Sequence, residues 1–194
     1  MGSRPTRIVK AEVLFDLAKR ILMAVGLPAD SAAICADIFL EADLRGHSIQ
    51  GVHHLYSMVL AMQDARANPN GKPFIVQERE GSALVDGDAG PGQLALCFAT
   101  DLAVEKAKKA GCFSVGVSNC YDVFMLGYYC ERIARAGLVG IAMTAGTPLV
   151  HPFGGVERML GTNPISIAVP TNWEHPVLMD FATSKIARGT IFEA

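Results

Sequence analysis

The side chains able to carry chemistry in this chain are few and scattered. His53 and His54 are adjacent, so on a helix their rings diverge, and no His/Cys spacing matches a zinc site, so no metal is expected. His47, His151 and His175 stand alone and receive no role. The cysteines Cys35, Cys97, Cys112, Cys120 and Cys130 are odd in number and lack a C-x-x-C pair, which suits reduced, buried thiols of a cytoplasmic protein. Cys120 is set apart by falling in a loop. Asp86-Gly87-Asp88 opens like a calcium loop, but Pro91 replaces the glycine such a loop turns on and Cys97 its bidentate Glu. A turn between strand and helix is the simpler reading. Gly87, Gly90 and Gly92 miss the spacing of the G-x-G-x-x-G fingerprint, and the chain has neither a P-loop nor a G-x-S-x-G elbow.

These residues need a scaffold, and the apolar periodicity supplies one. Leu14, Leu17, Ile21 and Val25 recur at helical spacing until Gly26-Leu27-Pro28 stops the run. Asp30 is placed to cap a second helix through Ile34, Ile38 and Ala42. After Gly46 a third helix is expected to carry Val52, Leu55, Val59 and Met62. The cluster Asn68-Pro69-Asn70-Gly71 then marks a boundary, giving a helical segment over 1–70 and an α/β domain over 71–194. In the second part strands are expected at 74–77, 83–86, 113–117, 138–144, 165–169 and 177–180, with helices at 93–110 and 125–136. The stretch 186–194 neither caps a helix nor completes a strand pair, so this domain is expected to be incomplete at its C-terminus. A net charge of −2 with scattered Lys and Arg argues against nucleic acid as a partner, and no apolar run approaches membrane-spanning length.

Three groups of residues carry a specific resemblance. One is Ala42-Asp43-Leu44-Arg45-Gly46 with Gly51-Val52 and Leu55. The second is Ser118-Asn119 with Gly127-Tyr128-Tyr129. The longest joins Pro148-Leu149-Val150, Pro152-Phe153-Gly154-Gly155, Leu160-Gly161-Thr162-Asn163-Pro164 and Asp180-Phe181-Ala182-Thr183-Ser184. Together they resemble the malate/L-lactate dehydrogenase family, which includes ureidoglycolate dehydrogenase, diketogulonate reductase and piperideine/pyrroline-2-carboxylate reductases. The resemblance implies a non-Rossmann, mixed-sheet domain binding NAD or NADP, a small 2-oxo, 2-hydroxy or cyclic 2-imino acid as substrate, and a homodimer. It covers the N-terminal part of the family's longer chains, and it implies cofactor contacts at Gly146, Asp180, Phe181 and Ala182. Asp180 followed by small residues is also what a tight strand-to-loop turn requires.

The chain departs from the family where proton chemistry is expected. The family pattern Asp-Ser-His-Gly-Val-x-Arg aligns with Ser48 to His54, so Gln50 replaces the acid/base His and His54 the Arg that holds a substrate carboxylate. The pattern Ser-Asn-His-Phe-Gly aligns with Cys120 to Phe124, so Asp122 replaces a second His. Hydride chemistry at C=O or C=N needs a proton donor at the heteroatom. Gln50 can hydrogen-bond but not titrate, whereas the imidazole of His54 can. At i and i+4 the two would share a helical face, and Asp122 is expected to orient the imidazole. Arg45, Lys185 and Arg188 are candidates for the missing carboxylate clamp. The alternative is a degenerate, inactive fragment that keeps only a dimerisation or nucleotide-binding surface.

Overall fold

Helix α1, Ala11–Ala24, ends as its sequence dictates: Gly26 takes φ +98°, its N–H reaches the Met23 carbonyl, and the Leu27 N–H reaches the Leu22 carbonyl. That pair of bonds satisfies two orphan carbonyls at the helix end, and the accompanying Leu27 and Leu22 side chains are both buried. The buried stripe runs through Ala18 and Leu22, while Leu17 is about half exposed, so the expected face is rotated by one position. The computed structural model describes residues 8–185 of the chain. These fall within two compact units, Met1–Asn70 and Gly71–Ala194.

In the first unit α2, Ala29–Leu44, packs on α1 through small side chains, with Ala32, Cys35, Ala36 and Ala42 at 0% exposure. Asp30 does not cap it. The helix starts one residue earlier, with Pro28 at the cap position, and Asp30 lies in the first turn, where its charge faces the positive end of the dipole. Gly46, at φ +78°, closes α2 with the same two-bond pattern as Gly26. The continuous helix expected after it is absent. Two 3₁₀ turns, Ser48–Gln50 and Val52–His54, precede a shorter α3, Leu55–Gln63. The break falls at Gly51, whose φ −88°, ψ −154° is extended rather than helical.

The second unit holds two three-stranded sheets among the described residues. In the first, β1 (Phe74–Arg79) runs antiparallel to β2 (Ser82–Asp86), and β2 parallel to β3 (Ser114–Ser118). A parallel pair needs a crossover, here α4, Gly92–Ala110. The second sheet, β4 (Gly140–Met143), β5 (Ile165–Val169) and β6 (Val177–Phe181), is antiparallel throughout. Strand side chains alternate between faces, so register separates this sheet into two rows of different character. Gly140, Ala142, Ser166, Ala168, Leu178 and Asp180 face α5, Leu126–Arg135. Their small size lets the helix approach closely: a Cβ on Gly140 would lie 2.8 Å from the Cys130 carbonyl oxygen. The opposite face carries Ile141, Met143, Ile165, Ile167, Val169, Val177, Met179 and Phe181 and remains largely exposed.

Candidate active site

The proton-handling candidates Gln50 and His54 belong to the first unit. They occupy separate 3₁₀ turns, so the expected shared helical face does not form. What organises them is Asp43, near the C-terminus of α2. Its Oδ2 accepts the Val52 N–H at 2.9 Å, and its carboxylate fills the space a side chain at residue 51 would need. Only glycine fits at 51, and its extended backbone ends the first turn and starts the second. His54 is half-buried and forms the N-terminal boundary of α3. Its Nδ1 lies 3.4 Å from the Ser57 hydroxyl, which also donates to the His54 carbonyl at 2.8 Å. Of the candidates for a carboxylate clamp, Arg45 is held by Glu41 through Nε and Nη2 at 3.2 and 3.0 Å, and Lys185 is exposed. Arg188 lies outside the described residues.

Asp122 belongs to the second unit, in the loop that leaves the C-terminal end of β3. It is exposed, and its Oδ1 accepts the Phe124 N–H at 3.2 Å. This loop lies against the turn after β2. Ala89 N–H donates to the Asn119 carbonyl, Tyr121 N–H donates to the Gly90 carbonyl, and Gly92 passes under the carbonyls of Tyr121 and Asp122. Cys120 is half-buried here; burial first, then the charges of Asp122 and Asp86, push its thiol pKa up. Cys112 departs from the expectation of buried thiols, being exposed. Beside this packed turn, Gln93 in the first turn of α4 is 0% exposed, and neither of its amide atoms has a hydrogen-bond partner among the described residues.

The four residues expected to touch a cofactor lie together at one end of the antiparallel sheet. Asp180 and Phe181 end β6, Ala182 follows, and Gly146 lies in the segment after β4. Between them runs the 161–164 turn that leads into β5. Asn163 Oδ1 accepts the Gly146 N–H at 3.1 Å, and the Pro164 carbonyl accepts Thr144 N–H at 3.3 Å. On the other side the Thr183 N–H donates to the Thr162 carbonyl at 3.1 Å, and its hydroxyl lies 2.9 Å from the Asn163 carbonyl. Asp180 uses Oδ2 to accept the Gly127 N–H at 2.6 Å, so its carboxylate holds the N-terminus of α5. In the described sheet β6 is an edge strand, which leaves alternate backbone groups along its outer side for other partners. Gly146 is exposed and Ala182 carries only a methyl group, which is what close approach by a dinucleotide needs, so the residues present fit such a group.

A family model described as malate/L-lactate dehydrogenase matches residues 9–194. The chain belongs to that family. It is 43% identical over 185 residues to malate dehydrogenase of Pyrococcus abyssi, covering 95% of this chain and 51% of that protein. The structure of malate dehydrogenase from Pyrococcus horikoshii OT3 superimposes with a TM-score of 0.91 at 39% identity, over 94% of this chain and 52% of that one. Sulfolactate dehydrogenase from Methanocaldococcus jannaschii gives 0.91 at 38%, over 97% and 54%. The chain thus spans about half the length of these relatives, and its α/β fold is the family's. No helix of the described residues is long and apolar enough to cross a membrane, and no group of three or more metal-ligating side chains forms among them.

The individual roles of Asp43, Gly127, Asn163 and Thr183 are not visible in the sequence. Three of them sit inside the shared motifs and Gly127 opens one, so the signal was present. What sequence could not supply was which backbone group each one meets.

Proposed function

We propose that this chain forms part of an NAD- or NADP-dependent oxidoreductase that interconverts a small 2-hydroxy acid and its 2-oxo acid, or reduces a cyclic 2-imino acid. The observation that carries this is the gathering of Gly146 and Asp180 to Ala182 at one sheet end, in a chain of a family whose relatives are malate and L-sulfolactate dehydrogenases. The nicotinamide cofactor, when bound, supplies or accepts the hydride. The chain's own residues handle the rest. The exposed Gly146 segment and the end of β6 let the nucleotide approach the backbone closely. His54 exchanges the proton of the substrate oxygen or nitrogen, and Gln50 hydrogen-bonds that heteroatom. An odd number of cysteines without a C-x-x-C pair suits a reducing, cytoplasmic setting, and a homodimer matches the family resemblance.

A second reading, a catalytically inactive member that keeps a nucleotide-binding or dimerisation surface, is favoured by one observation: Gln50 and His54 stand on separate turns. A single experiment separates the two. Reduced-nicotinamide absorbance is followed with malate, L-sulfolactate and a cyclic imino acid in the protein that contains this chain. Under the first reading His54→Ala lowers kcat by roughly 10²–10⁴-fold, the range for a general acid or base. Turnover unchanged by His54→Ala but abolished by Gln50→Ala rejects His54 as the proton carrier. Nucleotide binding without turnover of any substrate establishes the second reading.

A further inference from the structure

The Gly161-Thr162-Asn163-Pro164 motif has a definite task in the structure. It sits between the two segments read as cofactor contacts and bonds to both. The last cross-strand row of the sheet is Met143, Ile165 and Phe181. Beyond that row the strands part, and the 161–164 turn keeps the sheet order through Thr144 N–H to Pro164 O, Gly146 N–H to Asn163 Oδ1, and Thr183 to the carbonyls of Thr162 and Asn163. A Cβ on Gly161 would fall 2.5 Å from both the Gly146 carbonyl oxygen and Asn163 Oδ1, so the turn presses directly on the Gly146 segment.

The identity of residue 163 is informative. Its φ is +39°, a conformation glycine would adopt with less strain and most side chains would resist. Asparagine is tolerated there and, unlike glycine, brings an acceptor to Gly146 N–H. The segments after β4 and β6 flank β5, so they stand two strand spacings apart, about 10 Å. A ligand that touches both needs that gap held constant, and the 161–164 turn bridges it.

We propose that Asn163 and Thr183 are positioning residues for dinucleotide binding, setting the distance between the Gly146 segment and Ala182 without themselves contacting the reacting atoms. This rests on the reading of Gly146 and Asp180 to Ala182 as nucleotide contacts. The test is a titration of the ¹⁵N-labelled protein that contains this chain with NADH and with NADPH, read by amide chemical shifts, alongside thermal unfolding. In the unsubstituted chain the Gly146 and Ala182 amides shift. Asn163→Gly relieves the backbone and keeps the unfolding temperature close to the parent's, yet weakens binding roughly tenfold, the scale of one lost hydrogen bond. Thr183→Val weakens binding to a similar degree, and Thr183→Ser restores it. A merely structural role would instead move stability and affinity together. Parental affinity in both Asn163→Gly and Thr183→Val overturns the positioning role while leaving the nucleotide reading intact. No shift at millimolar nucleotide in the unsubstituted protein that contains this chain overturns both.

Discussion

Gln93→Met is expected to stabilise the second unit. Gln93 lies in the first turn of α4 at 0% exposure, and both Nε2 and Oε1 lack partners among the described residues. A buried polar group without a partner costs about 1–3 kcal/mol, and Gln93 has two such atoms. Methionine has nearly the same length and volume, so it fills the space without a cavity and without strain. Some of the gain is lost to imperfect packing of the new thioether, leaving a net stabilisation of about 1–3 kcal/mol. For a unit of this size that raises the unfolding temperature by several degrees, at roughly 2–8 °C per kcal/mol. Urea unfolding followed by circular dichroism measures it, with the requirement that the midpoint rises while the slope stays constant. Gln93→Glu is the counter-experiment: a buried, unpaired carboxylate should destabilise by several kcal/mol. A loss of stability in Gln93→Met would refute the reasoning, since it would show that the amide is bonded in solution and belongs to a polar network.

Three further perturbations follow from the same geometry. Asp180→Ala removes the carboxylate from the N-terminus of α5 and strands the Gly127 N–H, which should cost about 0.5–2 kcal/mol in denaturant unfolding. Gly51→Ala drives a methyl group into the Asp43 carboxylate and should cost about 1–3 kcal/mol, with the Val52 amide losing its hydrogen-exchange protection. Asp122 raises the Cys120 thiol pKa, so Asp122→Asn lowers it, and at a fixed pH below that pKa Cys120 gains thiolate and alkylates faster. Burial is the larger cause, so exposed Cys112 should still label first in both proteins.

Local signals proved legible where one residue decides the outcome. Gly26 ends α1 because only its left-handed backbone lets Leu27 N–H reach the Leu22 carbonyl, and that requirement is visible in Gly26-Leu27-Pro28. The strands expected at 165–169 and 177–180 are legible from their apolar runs and form β5 and β6, the second one residue longer. The failure lies between Gly46 and Leu55. Apolar spacing there fits a helix, but Asp43, nine residues before Val52, takes that residue's N–H and leaves no room for a side chain at 51. A contact across a turn cannot be seen in a periodicity window. Phe124 shows the converse. It is buried at φ +57°, a conformation that favours glycine, in the position where the family pattern has glycine.

The uncovered face of the β4–β6 sheet has a consequence for how the chain behaves in solution. Eight apolar side chains in register, with Met143 70% and Ile141 57% exposed, form a row of apolar groups on one face of the sheet. Contacts made by such a patch are entropy-driven near room temperature and weaken on cooling. A preparation of these residues should therefore become turbid on warming or in sulfate and clear again in the cold, the reverse of an assembly held by ion pairs.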